Sequence, residues 1–414
     1  MLRISLILIF LATAVSGVVS HAGTWEHIGL EGRRVETIVP FEDFVYAGTD
    51  SGVFRCDLGV PDQWDTLGLS HCMVKALIII SEDTLLAGVY ESDTALYRST
   101  DGGGTWFPYE NGYGGIYQAW VLSMARLTES SDVLFATGLA SVSRTSDLGE
   151  SWGPVYGAWG MMGSGMAFVH VNPNDESNVW AGGESTSHQA RLLKSIDSGL
   201  NFEAVDVNVV GDNRCHDVAI APYNSDRVWV SMEGFVRETR DGGDNWSTDL
   251  EADYYLYCIE IDPVRPENLY VSGYVFDQPL TLFVSRDAGV SWDTVVFAES
   301  VGIGILSMFL VPGSTTNTLY MGTMDGVYRY VDSVRSCCTE LRGNVDNDPE
   351  DIVSLGDLTA LIDILFISLG DPVCWEETNL DESLPEGPGS VSLGDLTALI
   401  DVLFISLDSP PACP

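Results

Sequence analysis

The feature that most constrains this chain is a turn signature that recurs along it. The pattern Ser/Thr-x-Asp-x-Gly-x-x-aromatic runs Ser99 to Trp106, Thr145 to Trp152, Ser195 to Phe202, Thr239 to Trp246 and Ser285 to Trp292. Successive aspartates are 46, 50, 44 and 46 residues apart (Asp101, Asp147, Asp197, Asp241, Asp287). A period near 45 residues is the mark of a solenoid or a propeller. Upstream of each box lies a short β-rich run: "VYAG" at 45, "LLAG" at 85, "LFAT" at 134, "VWAG" at 179, "VWVS" at 228, "LYVS" at 269 and "LYMG" at 319. Another apolar stretch precedes each run, with Asn, Pro or Asp between them marking the turn. Each unit therefore reads as four short strands, one propeller blade. The first unit carries a stretched box, Asp57-Leu58-Gly59 with a late Trp64, and the seventh stops at "GVYRYVDS". The segment "GTWEHIGL" at 23–30 resembles the missing end of that unit. The expectation is a mainly β fold: a seven-bladed propeller over 23–333, closed by the N-terminal strand, which removes exposed sheet edges.

The chemistry of the box suits a turn rather than a reaction. An Asp carboxylate accepts N–H groups of its own turn. The glycine permits the positive φ of a tight reversal. The aromatic packs between sheets. The five aspartates are accordingly expected to be structural, with no catalytic residue among them.

These residues resemble the Asp-box, or bacterial neuraminidase, repeat of the sialidase, sortilin and xyloglucanase superfamily. The resemblance implies a propeller whose boxes lie on the face opposite the binding site. It departs from sialidases, because no Phe/Tyr-Arg-Ile-Pro motif is present. Loops expected on the open face supply candidate ligand contacts: Tyr113, Tyr117, Trp120, Tyr156, Trp159, Tyr254, Tyr255 and Tyr274. The competing role for these aromatics is packing between blades. His188, His216 and Asp217 fall in the same loops and are expected to be structural.

The chain opens "MLRISLILIFLATAVSGVVSHAGTW", an n-region, an apolar run and small residues before a cleavage point. It reads as a secretory signal peptide over 1–22, so the mature chain is expected to be exported with no membrane span. Sixty acidic against 19 basic residues give a net charge of −41, with Lys75 and Lys194 the only lysines. Such a surface repels phosphate backbones, which excludes nucleic acid as a partner. Eight cysteines in an exported chain permit disulfides. Cys215 and Cys258 are one candidate pair, and Cys337 and Cys338 are candidates to bond Cys374 and Cys413.

The C-terminus carries a second repeat. "SLGDLTALIDILFISL" at 354–369 returns as "SLGDLTALIDVLFISL" at 392–407, 38 residues on. Leu358, Leu361, Ile362, Leu365 and Phe366 fall on one helical stripe, repeated by Leu396, Leu399, Ile400, Leu403 and Phe404. Two short helices are expected to bury these stripes on each other. Before the first helix, Asn344, Asp346 and Asp348 alternate as oxygen donors and Asp357 follows at the helix start. Asn379, Asp381, Ser383 and Asp395 repeat the arrangement. A calcium loop needs such alternating oxygens closed by a helix carboxylate. The layout resembles a dockerin module over 344–414, after a linker at 334–343. That resemblance implies calcium and a cohesin-like or envelope partner. The closing Asp falls later than in the standard loop, and Pro349 replaces the turn glycine. The other role for Asp357 and Asp395 is helix capping.

Three functions remain open on the sequence. The first is an exported, non-catalytic propeller that binds a glycan or a protein and is tethered by the C-terminal module. The second is a glycoside hydrolase delivered by that module. The third is an envelope component in which the small domain merely caps the propeller.

Overall fold

The computed structural model describes residues 23–90, 92–113, 120–139, 141–157, 165–185, 187–209, 213–222, 224–313 and 315–333 of the β-region, with side chains at 298–301 left aside. At the C-terminal end it describes 342–346, 353–367, 378–381, 391–406 and 410–411. The signal segment at 1–22, residues 334–341 of the expected linker at 334–343, and Asp348, Ser383, Cys337, Cys338, Cys374 and Cys413 lie outside the described residues.

The fold is a β-propeller of antiparallel sheets around a central channel, five of four strands and one of six. Among the described residues the sheets thus number six, where the repeat implies seven blades. The difference lies in Val228–Thr239 and Ser247–Ile261, strands of 12 and 15 residues that run without interruption through what are two shorter strands elsewhere. The last sheet takes Thr24–His27 as its outer strand, pairing Thr24 with Val331 and His27 with Tyr328. The first and last segments of the propeller thereby share one hydrogen-bonded ladder.

The β-rich runs seen in the sequence are the second strands of the sheets. They are buried along most of their length, as in Leu85–Tyr90 and Leu269–Tyr274, because neighbouring sheets cover both faces. Their apolar side chains form a succession of inter-sheet clusters, with Trp180 and Trp229 fully buried among them. The glycine in "VYAG" and "LLAG" has a packing reason. A Cβ on Gly88 would lie 2.3 Å from Val121 Cγ1 of the next inner strand, and one on Gly322 would lie 2.7 Å from Val35 Cγ1, across the ring closure.

The acidic turns form the expected local bonds. Asp101 Oδ1 accepts Thr105 N at 2.8 Å and Oδ2 accepts Thr105 Oγ1 at 2.7 Å, while Ser99 Oγ accepts Gly103 N at 2.8 Å. The same carboxylate-to-backbone bond recurs at Asp147, Asp197, Asp241 and Asp287. Hydrogen bonds from Asn201 and from Asn245 lower the carboxyls of Asp197 and Asp241 to about 2. The residue after each Asp donates its N–H to the turn between the first two strands of the sheet: Gly102 to Asp83, Leu148 to Asp132, Ser198 to Ser177, Gly242 to Asp226 and Ala288 to Glu267. The box therefore ties two turns at one end of the sheet. Its aromatic reaches backward, as where Trp106 Nε1 donates to Leu67 O at 2.6 Å.

In the C-terminal segment two helices span Leu355–Ile362 and Leu393–Ile400, each continued by a π-helical turn, Asp363–Ile367 and Asp401–Ile405. Leu361 and Leu399 are fully buried, and Leu358, Leu365, Leu396 and Leu403 pack around them. The expected stripe is only partly realised. Phe366 and Phe404 are each 57% exposed, and Ile362 is 37% exposed. The wider π turn rotates the end of each helix, so that Phe366 and Phe404 leave the seam.

Two substitutions test the close approach of neighbouring sheets. Gly88→Ala should lower unfolding free energy by about 2 kcal/mol, as overpacking does. Gly32→Ala, at φ +76° with no atom within 4 Å of the added Cβ, should cost about 1 kcal/mol of backbone strain alone. Equal losses in denaturant titrations would contradict the packing argument.

Candidate functional site

One end of the central channel is shaped by β-bulges. Every inner strand shifts register near its start, between Val35 and Thr37, Val74 and Ala76, Val121 and Ser123, Met166 and Phe168, Cys215 and Asp217, Leu256 and Cys258, and Ile305 and Ser307. The residue before each shift is buried in the inter-sheet core. The bulged residue is turned toward the channel, as bulges at barrel rims re-aim side chains. Glu36, Lys75, Leu122, Ala167, His216, Tyr257 and Leu306 form this ring and line a cavity of about 400 Å³. The ring stands at the starts of the inner strands. The acidic boxes bond turns at the opposite ends of those strands, so ring and boxes occupy opposite faces.

Charges at this mouth are matched in pairs. Glu36, with its side chain 3% exposed, accepts from Arg34 Nε at 2.6 Å and from Lys75 Nζ at 2.8 Å. Arg214 pairs with Glu184, which also meets His188 Nδ1 at 3.3 Å. His216 faces Glu233 at 3.8 Å and stacks edge-on to Tyr257 at 4.8 Å. Burial lowers the His216 imidazole, and the contact with His216 lowers the Glu233 carboxyl. Aromatic pairs stand beside these groups. Tyr255, 48% exposed, stacks on Tyr257 at 6.4 Å, and Tyr90 packs on Trp120 at 4.4 Å with the Lys75 ammonium 5.6 Å above its ring.

Deeper in the channel, His170 Nε2 lies 2.8 Å from Asp217 Oδ1. Asp217 also accepts from Val218 N at 2.9 Å and, from the next inner strand of the same six-stranded sheet, from Ile259 N at 3.1 Å. Burial, reinforced by the Asp217 charge, pushes Glu260 up to about 8, with His170 pulling the other way. Burial disfavours the His170 imidazolium, but Asp217 outweighs it and the pKa rises.

The expected ligand aromatics separate into three groups. Tyr255 and Trp120 stand at the mouth, and Tyr274 pairs with Tyr255 across the strands. Tyr113, Tyr156 and Tyr254 correct the expectation, because their rings pack. Tyr113 is 6% exposed against Trp152, Tyr156 accepts from Arg191 on an outer strand, and Tyr254 meets Phe283 edge-on. Tyr117 and Trp159 lie outside the described residues. The Cys215–Cys258 pairing is also corrected. Both thiols are free and sit in different inter-sheet clusters, Cys215 beside Trp180 and Cys258 beside Tyr270.

At the C-terminal loops, Asp346 N donates to Asp357 Oδ1 and Asp381 N to Asp395 Oδ1, each at 3.1 Å. The second oxygen caps the helix, accepting Ser354 N at 2.6 Å and Ser392 N at 2.7 Å. Asn344, Asn379, Asp357 and Asp395 are buried. Burial raises the Asp395 carboxyl, and the neighbouring Asp381 adds to the rise. Among the described residues no group of three or more His, Cys, Asp or Glu is assembled at metal distance.

Sequence reasoning missed the ring and the His170–Asp217–Glu260 cluster. A signal exists in the aligned inner runs "VET", "VKA", "VLS", "MAF", "CHD", "LYC" and "ILS". There an apolar first position is followed by a residue of unconstrained chemistry.

The Glu260 and His170 shifts set a pH dependence. Both groups hold protons more tightly when folded, so their stabilisation is present at low pH and is lost as pH rises, for Glu260 between its unfolded value and about 8. The melting temperature should fall by roughly 2–4 °C between about pH 5 and 8, and Glu260→Gln should flatten that slope. A slope unchanged in the variant would remove Glu260 as its source.

No family model and no curated protein matches the chain. Solved structures do. A GH74 xyloglucanase from Xanthomonas campestris is similar at 17% identity and a TM-score of 0.54, over 74% of this chain and 53% of that one. The chain thus spans about half that enzyme's length. YCF48 from Cyanidioschyzon merolae is similar at 13% identity and a TM-score of 0.55, over 74% and 98%, and YCF48 is also solved bound to D1 peptide. The extracellular domain of the putative hybrid two component system BT4673 from B. thetaiotaomicron is similar at 13% identity and a TM-score of 0.54, over 79% and 42%. Likeness at these identities makes the chain a β-propeller by fold and leaves its chemistry to its own residues.

Proposed function

We propose that this chain is an exported, non-catalytic binding protein, a seven-bladed Asp-box propeller whose bulge-ringed channel mouth is its ligand face. The observation that carries the reading is the pairing of charges there. Glu36, Glu184 and Glu233 each have a cationic or imidazole neighbour. Acid–base cleavage of a glycosidic bond needs two carboxyls free to trade protons with substrate at a set separation. The count of seven rests on the six-stranded sheet, which carries two acidic turns, at Asp241 and Asp287, and two bulged inner strands. It reads as two blades fused by Val228–Thr239 and Ser247–Ile261.

The C-terminal segment is, in this reading, a dockerin-like module that holds calcium and attaches the propeller to a cohesin-like or envelope protein. The donor set fits a hard divalent cation. Asn344, Asp346 and Asp357, and in the second copy Asn379, Asp381 and Asp395, would supply the oxygens, the loop of each copy being bonded to its helix-start aspartate. The crowding of Asp381 and Asp395 is a charge a cation would relieve. Asp348 and Ser383 complete the proposed ligand sets. Calcium should raise the melting temperature of the full chain. Calorimetric stoichiometry should drop by one ion in Asp357→Asn and in Asp395→Asn. Titration with chelator that leaves the melting curve unmoved would end the calcium assignment.

One observation favours the glycoside hydrolase. Glu260, protonated up to about pH 8, stands beside the carboxylate of Asp217, an acid and a base in one channel. Against it, both Asp217 oxygens are already bonded to His170, Val218 and Ile259. Incubating the full chain with a polysaccharide panel and measuring reducing ends separates the two readings. The expected result is no release. Release that disappears in Glu260→Gln would establish the enzyme instead.

A further inference from the structure

His170 and Glu260 form a waist in the central channel. Both line the mouth cavity of about 400 Å³, and both line a second cavity of about 290 Å³ on the far side of them. Four consecutive inner strands enclose this second cavity near their ends: Met166–Asn172, Cys215–Ile220, Ser247–Ile261 and Ile305–Val311. Below the waist its wall is an apolar collar, with Ile220, Ile261 and Leu310 beside Pro173, Pro222 and Pro263. Proline carries no N–H, so the collar also lacks a backbone donor at three places. Apolar walls with a few convergent polar groups are the usual make-up of a small-molecule site.

The polar groups of the waist share their bonds unevenly. Asp217 is satisfied by His170 Nε2 at 2.8 Å and by Val218 N and Ile259 N. The Glu260 carboxyl has neither a hydrogen bond nor an ion pair among the described residues. Burial and the Asp217 charge push it up to about 8, against the pull of His170. Cys258, on the same strand, and Tyr270, opposite Glu260 in the ladder, are kept neutral by burial, and Ile305–Val311 carries no ionisable group. Fully ionised, the waist would set two carboxylates against one imidazolium, one cation short. A proton on Glu260 fills that place at neutral pH. An anion would meet carboxyl oxygens there, and a hard metal ion needs a shell of oxygens that the collar does not offer. A neutral molecule would gain the collar alone and leave the proton where it is.

We propose that the cavity below the waist binds a small organic amine as its ammonium ion, with the head against Glu260 and the hydrocarbon chain in the collar of Ile220, Ile261 and Leu310. The ammonium N–H groups donate to the Glu260 carboxylate, and the proton that Glu260 held leaves to solvent. One cation thus replaces another, and the charge of the waist is unchanged. An ammonium and a carboxylate form a charge-assisted pair, and the chain removes apolar wall from water. A volume of about 290 Å³ lies at the lower limit of ligand pockets, which suits a chain of a few carbons. This site is separate from the ligand face proposed at the mouth and does not rest on it.

Calorimetric titration of the full chain tests this with n-butylamine, n-hexylamine, 1-hexanol and a short lysyl peptide, near neutral pH in two buffers of different ionisation heat. Hexylamine should bind and release about one proton per ligand, because Glu260 holds its proton up to about 8 when the site is empty. Affinity should rise about fourfold for each CH₂ between butylamine and hexylamine. Hexanol, with the chain but no charge, should bind about tenfold more weakly and release no proton. Glu260→Gln should abolish the proton release and weaken hexylamine about tenfold, whereas Leu310→Ala should flatten the dependence on chain length. Circular dichroism of both variants should match the parent. Failure of either amine to bind at millimolar concentration, hexanol binding as tightly as hexylamine, binding without proton release, or unchanged release in Glu260→Gln overturns the proposal. Tighter binding of the lysyl peptide than of hexylamine overturns the assignment to a small molecule.

Discussion

Three junctions of this propeller, the ring closure among them, depend on how closely one sheet can approach the next. The decisive contact is an apolar side chain at the start of an inner strand seated on a glycine of the preceding sheet. Val121 sits on Gly88 in this way, Val74 on Gly48 and Val35 on Gly322. The last of these joins the end of the propeller to its beginning, a separation the chain can span only if the ring closes. The ladder between Thr24–His27 and Gly326–Ser333 completes that closure with hydrogen bonds. Ser307 Oγ, accepting Ile38 N at 3.1 Å, adds a further bond across the same seam. Removing an open edge in this manner protects a sheet protein from pairing with other chains.

The same contact generates the candidate site. To place Val35, Val74, Val121, Met166, Cys215, Leu256 and Ile305 in the core, each inner strand takes up one extra residue immediately afterward. That residue is freed from the core and turned toward the channel. Packing thus fixes where the seven side chains stand and leaves their identity unconstrained. The ring combines an acid, a base, an imidazole, a phenol and three apolar groups, whereas the seated position is apolar throughout. The opposite end is locked by the acidic turns, whose carboxylates are spent on their own backbone. Rigidity and recognition are therefore segregated to the two ends of the strands.

How much of this the sequence discloses follows from the kind of interaction involved. The acidic turns are legible because their bonds are local: Asp, Gly and the residue four positions after Asp lie within one stretch. The second strands are legible because burial on both faces demands an unbroken apolar run. The bulges are hard to read, because a register shift is a relation between two strands and shows only when the seven inner runs are aligned, as an apolar residue followed by one of any type. Tyr113 misleads for the same reason. Its loop is polar and glycine-rich, yet its ring reaches Trp152 of the following box, a contact no local pattern specifies. In the C-terminal segment, helical spacing places Leu358, Leu361 and Leu365 correctly, but the π turn begun at Asp363 carries Phe366 out of the face that spacing assigns it.

The two C-terminal repeats show what capping and metal binding have in common. Asp357 and Asp395 bond the N–H of Ser354 and Ser392 with one oxygen and the loop with the other. A carboxylate oxygen carries more acceptor capacity than one N–H consumes, so capping orients the group without exhausting it. On the calcium reading, the lone pairs that capping leaves free are the ones a hard cation would meet. At Asp395 burial raises the carboxyl, and the neighbouring Asp381 adds to the rise. On the calcium reading proposed above, helix cap and ion ligand are one carboxylate in two uses, so the sequence alternatives of cap or ligand do not compete.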